Sequence, residues 1–122
     1  MAYRSTHRFA RVSARKVRPI ADLIRGKRAE EALNILRYQP QRGARLLEKV
    51  LKSALANADD QRARDLRGMV IVDCRVDGAP MMKRIQPRSR GMAYSILKRS
   101  SHITVAVDSP RGSVRGIEDD AE

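Results

Sequence analysis

Pro80-Met81-Met82-Lys83-Arg84-Ile85-Gln86-Pro87-Arg88-Ser89-Arg90-Gly91-Met92 carries four basic residues, two prolines, one glycine and no acid. Its prolines disfavour both a helix and interior strand pairing, so the residues alone read as an extended basic arm. Both ends of the arm are anchored. Upstream, Val70, Val72, Cys74 and Val76 alternate with Ile71, Asp73 and Arg75; downstream, Ile103, Val105 and Val107 alternate in the same way. A period of two is strand spacing. The span from Asp77 to Ser101 is too long for a tight turn, and loops of that length are usually functional or disordered. An arm that cannot pair its own backbone needs water or a partner's polar groups. RNA phosphates and 2′-hydroxyls supply such groups. A solvated loop is the alternative; the lack of acids and the two anchoring strands favour RNA contact.

Outward from the arm, the period changes. Residues 3–9 set Tyr3, Ser5, His7 and Phe9 against Arg4, Thr6 and Arg8, a weak strand pattern. Ser13 reads as the N-cap of a first helix, with Val17, Ile20, Ala21 and Ile24 on one face and Gly26 as the stop. Pro19 inside that helix removes a backbone donor, which predicts a bend or a late start. A second helix has Glu30 and Glu31 in its first turn, Ala29, Ala32, Leu33 and Leu36 as its stripe, and Pro40 beyond its end. The third helix is the clearest: Leu47, Val50, Leu51, Ala54, Leu55 and Ala58 share a face, opposite Arg45, Lys49 and Lys52.

The chain has 122 residues, enough for one domain, and a net charge of +12. Aromatic residues make up 3% of it, so the core must be aliphatic. Residues 1–28 hold nine basic residues and one acid, residues 80–107 six and none, whereas residues 108–122 hold two and five. Charge of this sign seeks a polyanion, and counterion release makes nucleic acid the usual one. An anionic membrane surface is the competitor, but it needs a basic amphipathic helix or a lipid anchor; no myristoylation start, prenylation box or apolar run long enough for a membrane span is present, and no membrane is expected. In the first helical turn, Arg15, Lys16 and Arg18 follow closely on Arg4, Arg8 and Arg11. A helix N-terminus already attracts phosphate. Lys98 and Arg99 continue the arm's charge into the last strand.

Catalysis finds no support. Gly26-Lys27 lacks the glycine-rich run of a phosphate-cradling loop. Asp59-Asp60 and Asp119-Asp120 have no base near them in sequence. Cys74 reads as a small core residue, and a lone cysteine allows no intrachain disulfide, which fits a reducing cytosol. With His7 and His102 it is too little for a zinc site. His102 reads as a surface hydrogen-bond donor. No catalytic residue, metal or cofactor is therefore expected.

Several blocks resemble one family. Ser13-Ala14-Arg15-Lys16-Val17-Arg18 and Ala21-Asp22-Leu23-Ile24-Arg25-Gly26-Lys27 are similar to the opening helix of the bacterial large-subunit ribosomal proteins of the L-twenty-two family. Ala54-Leu55-Ala56-Asn57-Ala58 resembles the end of that family's long helix. Met82-Lys83-Arg84-Ile85, Pro87-Arg88, Gly91 and then Ile96-Leu97-Lys98-Arg99-Ser100-Ser101-His102-Ile103-Thr104-Val105 resemble its extended hairpin. The blocks run in order from about residue 7 to 107. Departures are Pro19, where an aliphatic residue is usual, and Met92 and Ser95, where basic residues are common.

The resemblance implies an α+β fold: three helices packed on a small three-stranded antiparallel sheet, with a long protruding β-hairpin. It implies one rRNA-binding domain over residues 1–108, an arm at about 78–101, and a flexible acidic tail over 109–122. It implies a structural, non-enzymatic constituent of the cytoplasmic large ribosomal subunit that binds 23S-type rRNA, supports assembly and lines the nascent-peptide exit tunnel. The expected partners are the rRNA, neighbouring large-subunit ribosomal proteins and the passing nascent peptide, with no homo-oligomer. The expected RNA-binding residues are Arg4, Arg8, Arg11, Arg15, Lys16, Arg18, Arg25, Lys27, Lys83, Arg84, Arg88, Arg90, Lys98 and Arg99. Met82, Lys83, Arg84, Arg88, Arg90 and Met92 are expected at or near the tunnel tip. Two rivals remain open, a stand-alone nucleic-acid regulator and an rRNA-modifying enzyme.

Overall fold

Strand β1 (Tyr3–Ala10) leads into helices α1 (Ala14–Ile24), α2 (Ala29–Tyr38) and α3 (Arg42–Asp60). Strands β2 (Val70–Pro87) and β3 (Ala93–Asp108) follow, joined by a 3-10 turn at Ser89–Gly91. The structure is a computed structural model that describes residues 2–61 and 68–109. The charged loop at 62–67 and all of the acidic tail except Ser109 lie outside the described residues.

The sheet is antiparallel with the order β1-β3-β2, so β3 is central. Ile103, Val105 and Val107 of β3 join the core, and α3 lies against β1 and β3 while α1 lies against β2. Each helix buries the stripe its 3.6-residue period sets: Val17, Ile20, Ala21 and Ile24 from α1; Ala29, Ala32 and Leu36 from α2; Leu47, Val50, Leu51, Ala54 and Ala58 from α3. Leu33 and Leu55 pack at the margin. Gly43 has a reason that its sequence neighbours do not reveal. A Cβ there would stand 3.1 Å from Val17 Cγ2 and 3.3 Å from Ile20 Cδ1, so its bareness lets α1 approach α3. At the far end of α3, Asn57 Nδ2 donates to the Arg4 carbonyl at 2.8 Å and ties the helix to β1.

Ser13 stands at the N-cap of α1, but its side chain makes no capping bond. The helix starts at Ala14 and is continuous through Pro19, so the late start is excluded. Proline's φ suits a helix. The donor it lacks would have bonded the Arg15 carbonyl, and Arg15 and Pro19 both lie on the solvent side.

Three bulges correct the simple alternation. In β2, Ile71 faces Val107 while Asp73 faces Ala106, leaving Val72 as an extra residue. A one-residue slip exchanges the two faces of a strand. Ile71 is consequently buried and Val72 is 40% exposed, the reverse of the expected assignment, whereas Cys74 and Val76 beyond the bulge face the core as expected. In β1 the register shifts between His7 and Ala10. Phe9 takes φ 56°, turns outward and yields its core place to Ala10. The Phe9 N–H donates to His102 Nδ1 at 3.0 Å, so His102 is an acceptor there and not the expected donor. The third bulge, between Ala79 and Met82, marks where the arm leaves the body.

The outer edge of β2 is covered by the segment after α1. Gly26 N–H donates to the Ile71 carbonyl (3.1 Å), Ile71 N–H to the Lys27 carbonyl (2.9 Å), and Ala29 N–H to the Met69 carbonyl (2.8 Å). Further along, Arg25 donates to the Cys74 carbonyl from Nε and Nη2 (3.2 and 2.7 Å), and Arg18 Nε donates to the Val76 carbonyl (3.1 Å). Unpaired edge groups invite strand addition, and these bonds occupy them. Burial pushes the Cys74 thiol up to about 11, which leaves it an inert core group.

Candidate nucleic-acid interface

Past the third bulge, Met82 to Pro87 pair with Lys98 to Ala93, so the arm is a two-stranded ribbon. This corrects the reading of an unpaired arm made from the prolines. Pro80 falls in the bulge and Pro87 in the last pair, places where a missing donor is tolerated. The turn closes through Arg88 N–H to the Met92 carbonyl at 2.6 Å, with Arg90 and Gly91 at φ 63° and 72°. The Arg88 guanidinium lies 5.6 Å from the centre of the Tyr94 ring. All of residues 80–95 are exposed. A two-stranded ribbon alone is marginal in water, so the arm's order depends on what surrounds it.

Arg88, Arg90 and Met92 occupy the tip of the ribbon. Met82 pairs with Lys98 just past the bulge, and Lys83 and Arg84 follow on the shaft. Pro87 lies five residue steps beyond Met82, about 17 Å of strand. Met82, Lys83 and Arg84 thus belong to the root and shaft of the hairpin, not to its end.

Where the ribbon meets the body, a cleft of about 1470 Å³ opens. Its walls include Arg11, Arg15, Lys16, Arg18, Arg42, Arg84, Lys98 and Arg99, and among the described residues no acid lines it. Helices α1 and α3 both begin at this cleft, with no side-chain cap and no acid in either first turn. Their free N–H groups and dipoles add to the positive potential of the side chains. Sequence segments nearly 90 residues apart are brought together here. Arg42 was missing from the expected set, because only the packing of α3 on α1 brings it to the cleft that Arg15 also lines; its place in the first turn of a helix was the available signal.

Among the described residues there is no group of three or more His, Cys, Asp or Glu able to hold a metal, and no helix long and apolar enough to cross a membrane. The cleft offers cations, backbone N–H groups and some apolar surface, a set suited to holding an anion.

The chain is similar to known proteins over most of its length. A family model described as Ribosomal protein L22p/L17e matches residues 5–108. A protein of Rhodopirellula baltica named Large ribosomal subunit protein uL22 is 58% identical over 110 residues, covering 86% of this chain and 92% of that one. The proteins of the same name from Caldicellulosiruptor saccharolyticus and Maridesulfovibrio salexigens are each 50% identical, over 103 and 107 residues. They align with 84% and 88% of this chain, and with 84% and 97% of their own lengths.

The chain belongs to the ribosomal protein L22p/L17e family. As a member it is a structural, non-enzymatic ribosomal protein.

Not every cation of this L22p/L17e protein is equally available. Arg25 spends Nε and Nη2 on the Cys74 carbonyl and Nη1 on Asp22 at 2.6 Å. Arg18 commits Nε to β2 and also lines the cleft. Arg4 lies 4.0 Å from Asp73, whose carboxyl is also gripped by Arg75 at 2.8 Å. Arg8 stacks over the Phe9 ring at 5.3 Å. Lys27 lies within the segment that covers the edge of β2, and it is exposed. The basic set therefore divides between cations that hold the body together and cations that face outward.

Proposed function

We propose that this protein binds 23S-type large-subunit rRNA as a structural constituent of the cytoplasmic large ribosomal subunit, and supports its assembly. The observation that carries this reading is the acid-free basic cleft at the root of a long exposed ribbon. Cations concentrated on one face, beside two open helix N-termini, match a folded polyanion with many phosphates. The body anchors through Arg11, Arg15, Lys16, Arg18 and Arg42, with Arg4, Arg8 and Lys27 at the margins; Arg25 acts through the fold. The shaft extends the contact through Lys83, Arg84, Lys98 and Arg99. The tip, Arg88 to Met92, lines the nascent-peptide exit tunnel, where Arg88, Arg90 and Met92 face the passing chain. Neighbouring large-subunit ribosomal proteins complete its surroundings.

Fractionation of cell extract on a sucrose gradient, with mass spectrometry, tests the assignment. The protein is expected in stoichiometric amounts with large subunits. Recovery chiefly in light fractions, bound to one RNA free of ribosomes, would favour a stand-alone regulator instead.

A further inference from the structure

The cleft at the root of the arm sets exposed apolar side chains among its cations. Met81, Met82 and Leu97 line it beside Arg11, Arg15 and Arg42. These three apolar side chains remain 49%, 47% and 38% exposed. Clustered exposed apolar surface inside a polar rim marks a contact site. The bulge between Ala79 and Met82 places two β2 residues opposite one on β3, and Met81 and Met82, although adjacent in the strand, both line the cleft.

Duplex RNA has no use for such apolar side chains. Its bases are stacked inside, its major groove is closed to side chains, and it presents phosphates and hydroxyls. It would engage the rim and leave Met81, Met82 and Leu97 wet. An unpaired nucleotide presents both halves of what the cleft offers, a charged phosphate and a flat apolar base face. Methionine is suited to that face, because its thioether is polarisable and its chain conforms to irregular surfaces. The cleft also exceeds the roughly 300–1,000 Å³ of ordinary small-molecule pockets, which leaves room for a strand segment.

We propose that this cleft is a site for unpaired RNA, with phosphates on Arg11, Arg15 and Arg42 and splayed bases against Met81, Met82 and Leu97. The proposal rests on the RNA-binding reading above and specifies the structural state of the RNA. Fluorescence anisotropy with the full chain tests it, using oligouridine, a strand of the same charge made of abasic nucleotides, and a blunt RNA duplex with the same number of phosphates. Oligouridine should bind more tightly than the abasic strand or the duplex. The triple variant Met81→Gln, Met82→Gln, Leu97→Gln should lose about tenfold for oligouridine, because the bases no longer remove apolar side-chain surface from water. Its affinity for the duplex should stay at the wild-type value. Because these side chains are exposed, circular dichroism should show the wild-type fold. Equal affinity for all three probes, or equal loss on all three, would overturn the unpaired-RNA site and leave general RNA binding intact. Binding of none of the three, or equal binding of polyglutamate, would overturn the RNA reading itself.

Discussion

Arg25 is a basic side chain committed to the fold. Its fork is filled by the Cys74 carbonyl and Asp22, so it clasps α1 to the edge of β2. Arg25→Gln should lower the unfolding free energy by about 1 kcal/mol, the net worth of such bonds at a partly exposed site, and leave the salt dependence of RNA binding unchanged. Arg42→Gln should do the reverse. Urea melts and binding isotherms on both variants check this. Two acids carry a pH-dependent part of the stability. Hydrogen bonds from Arg75, opposed by desolvation and reinforced by the charges of Arg75, Arg4 and Arg25, hold Asp73 below its ordinary value. Glu48 is lowered first by its hydrogen bond to Lys52, against desolvation, and then by Arg45. A depressed folded pKa stabilises the protein above the unfolded value, and that stability is lost as pH falls through the folded one. Melts between about pH 7 and pH 3 should therefore show wild type losing more stability than an Asp73→Asn, Glu48→Gln double variant. Equal losses would show that these pairs do not contribute.

At the scale of elements, the arm and the body draw on different sources of order. Helices α1, α2 and α3 bury continuous stripes, and the inner half of the sheet completes the core. The ribbon from residue 80 onward buries almost nothing. Folding free energy comes from buried apolar area, so it resides in the body. Replacing residues 80–99 by Asn-Gly joins the paired residues Ala79 and Ser100 through a two-residue hairpin turn. The shortened protein should melt close to wild type and enter large subunits more weakly, through the body's basic surface. Thermal melts and gradient profiles check both halves. A lost folded baseline would refute the division, and a wild-type melt without incorporation would move the main anchor to the arm.

For the whole molecule, the net charge of +12 predicts strongly salt-dependent association. Each phosphate neutralised contributes roughly −0.9 to the log–log slope on duplex nucleic acid. Replacing Lys83, Arg84, Arg88 and Arg90 by Gln should flatten the slope by up to roughly 3–4. An unchanged slope would mean that the arm does not touch phosphate. The same charge repels itself in the free protein, so a polyanion partner should also raise its melting temperature.

Element types, their order and the sign of the partner's charge were legible in the residues alone. Periods of 3.6 and two are local properties, and so is a run of arginines without acids; the blocks from Ser13 to Val105 also carried the family. The facing of Ile71 and Val72 and the outward turn of Phe9 were not legible, and the pairing of the arm was legible only through the family resemblance. A bulge is defined by the register against another strand, and one extra residue puts the alternation on its two sides out of phase. The division of cations between Arg25, turned onto a carbonyl of β2, and Arg42, set in the cleft, was equally out of reach. A guanidinium's role depends on the groups that packing brings within about 3 Å, and those groups lie on elements that only the tertiary structure makes neighbours.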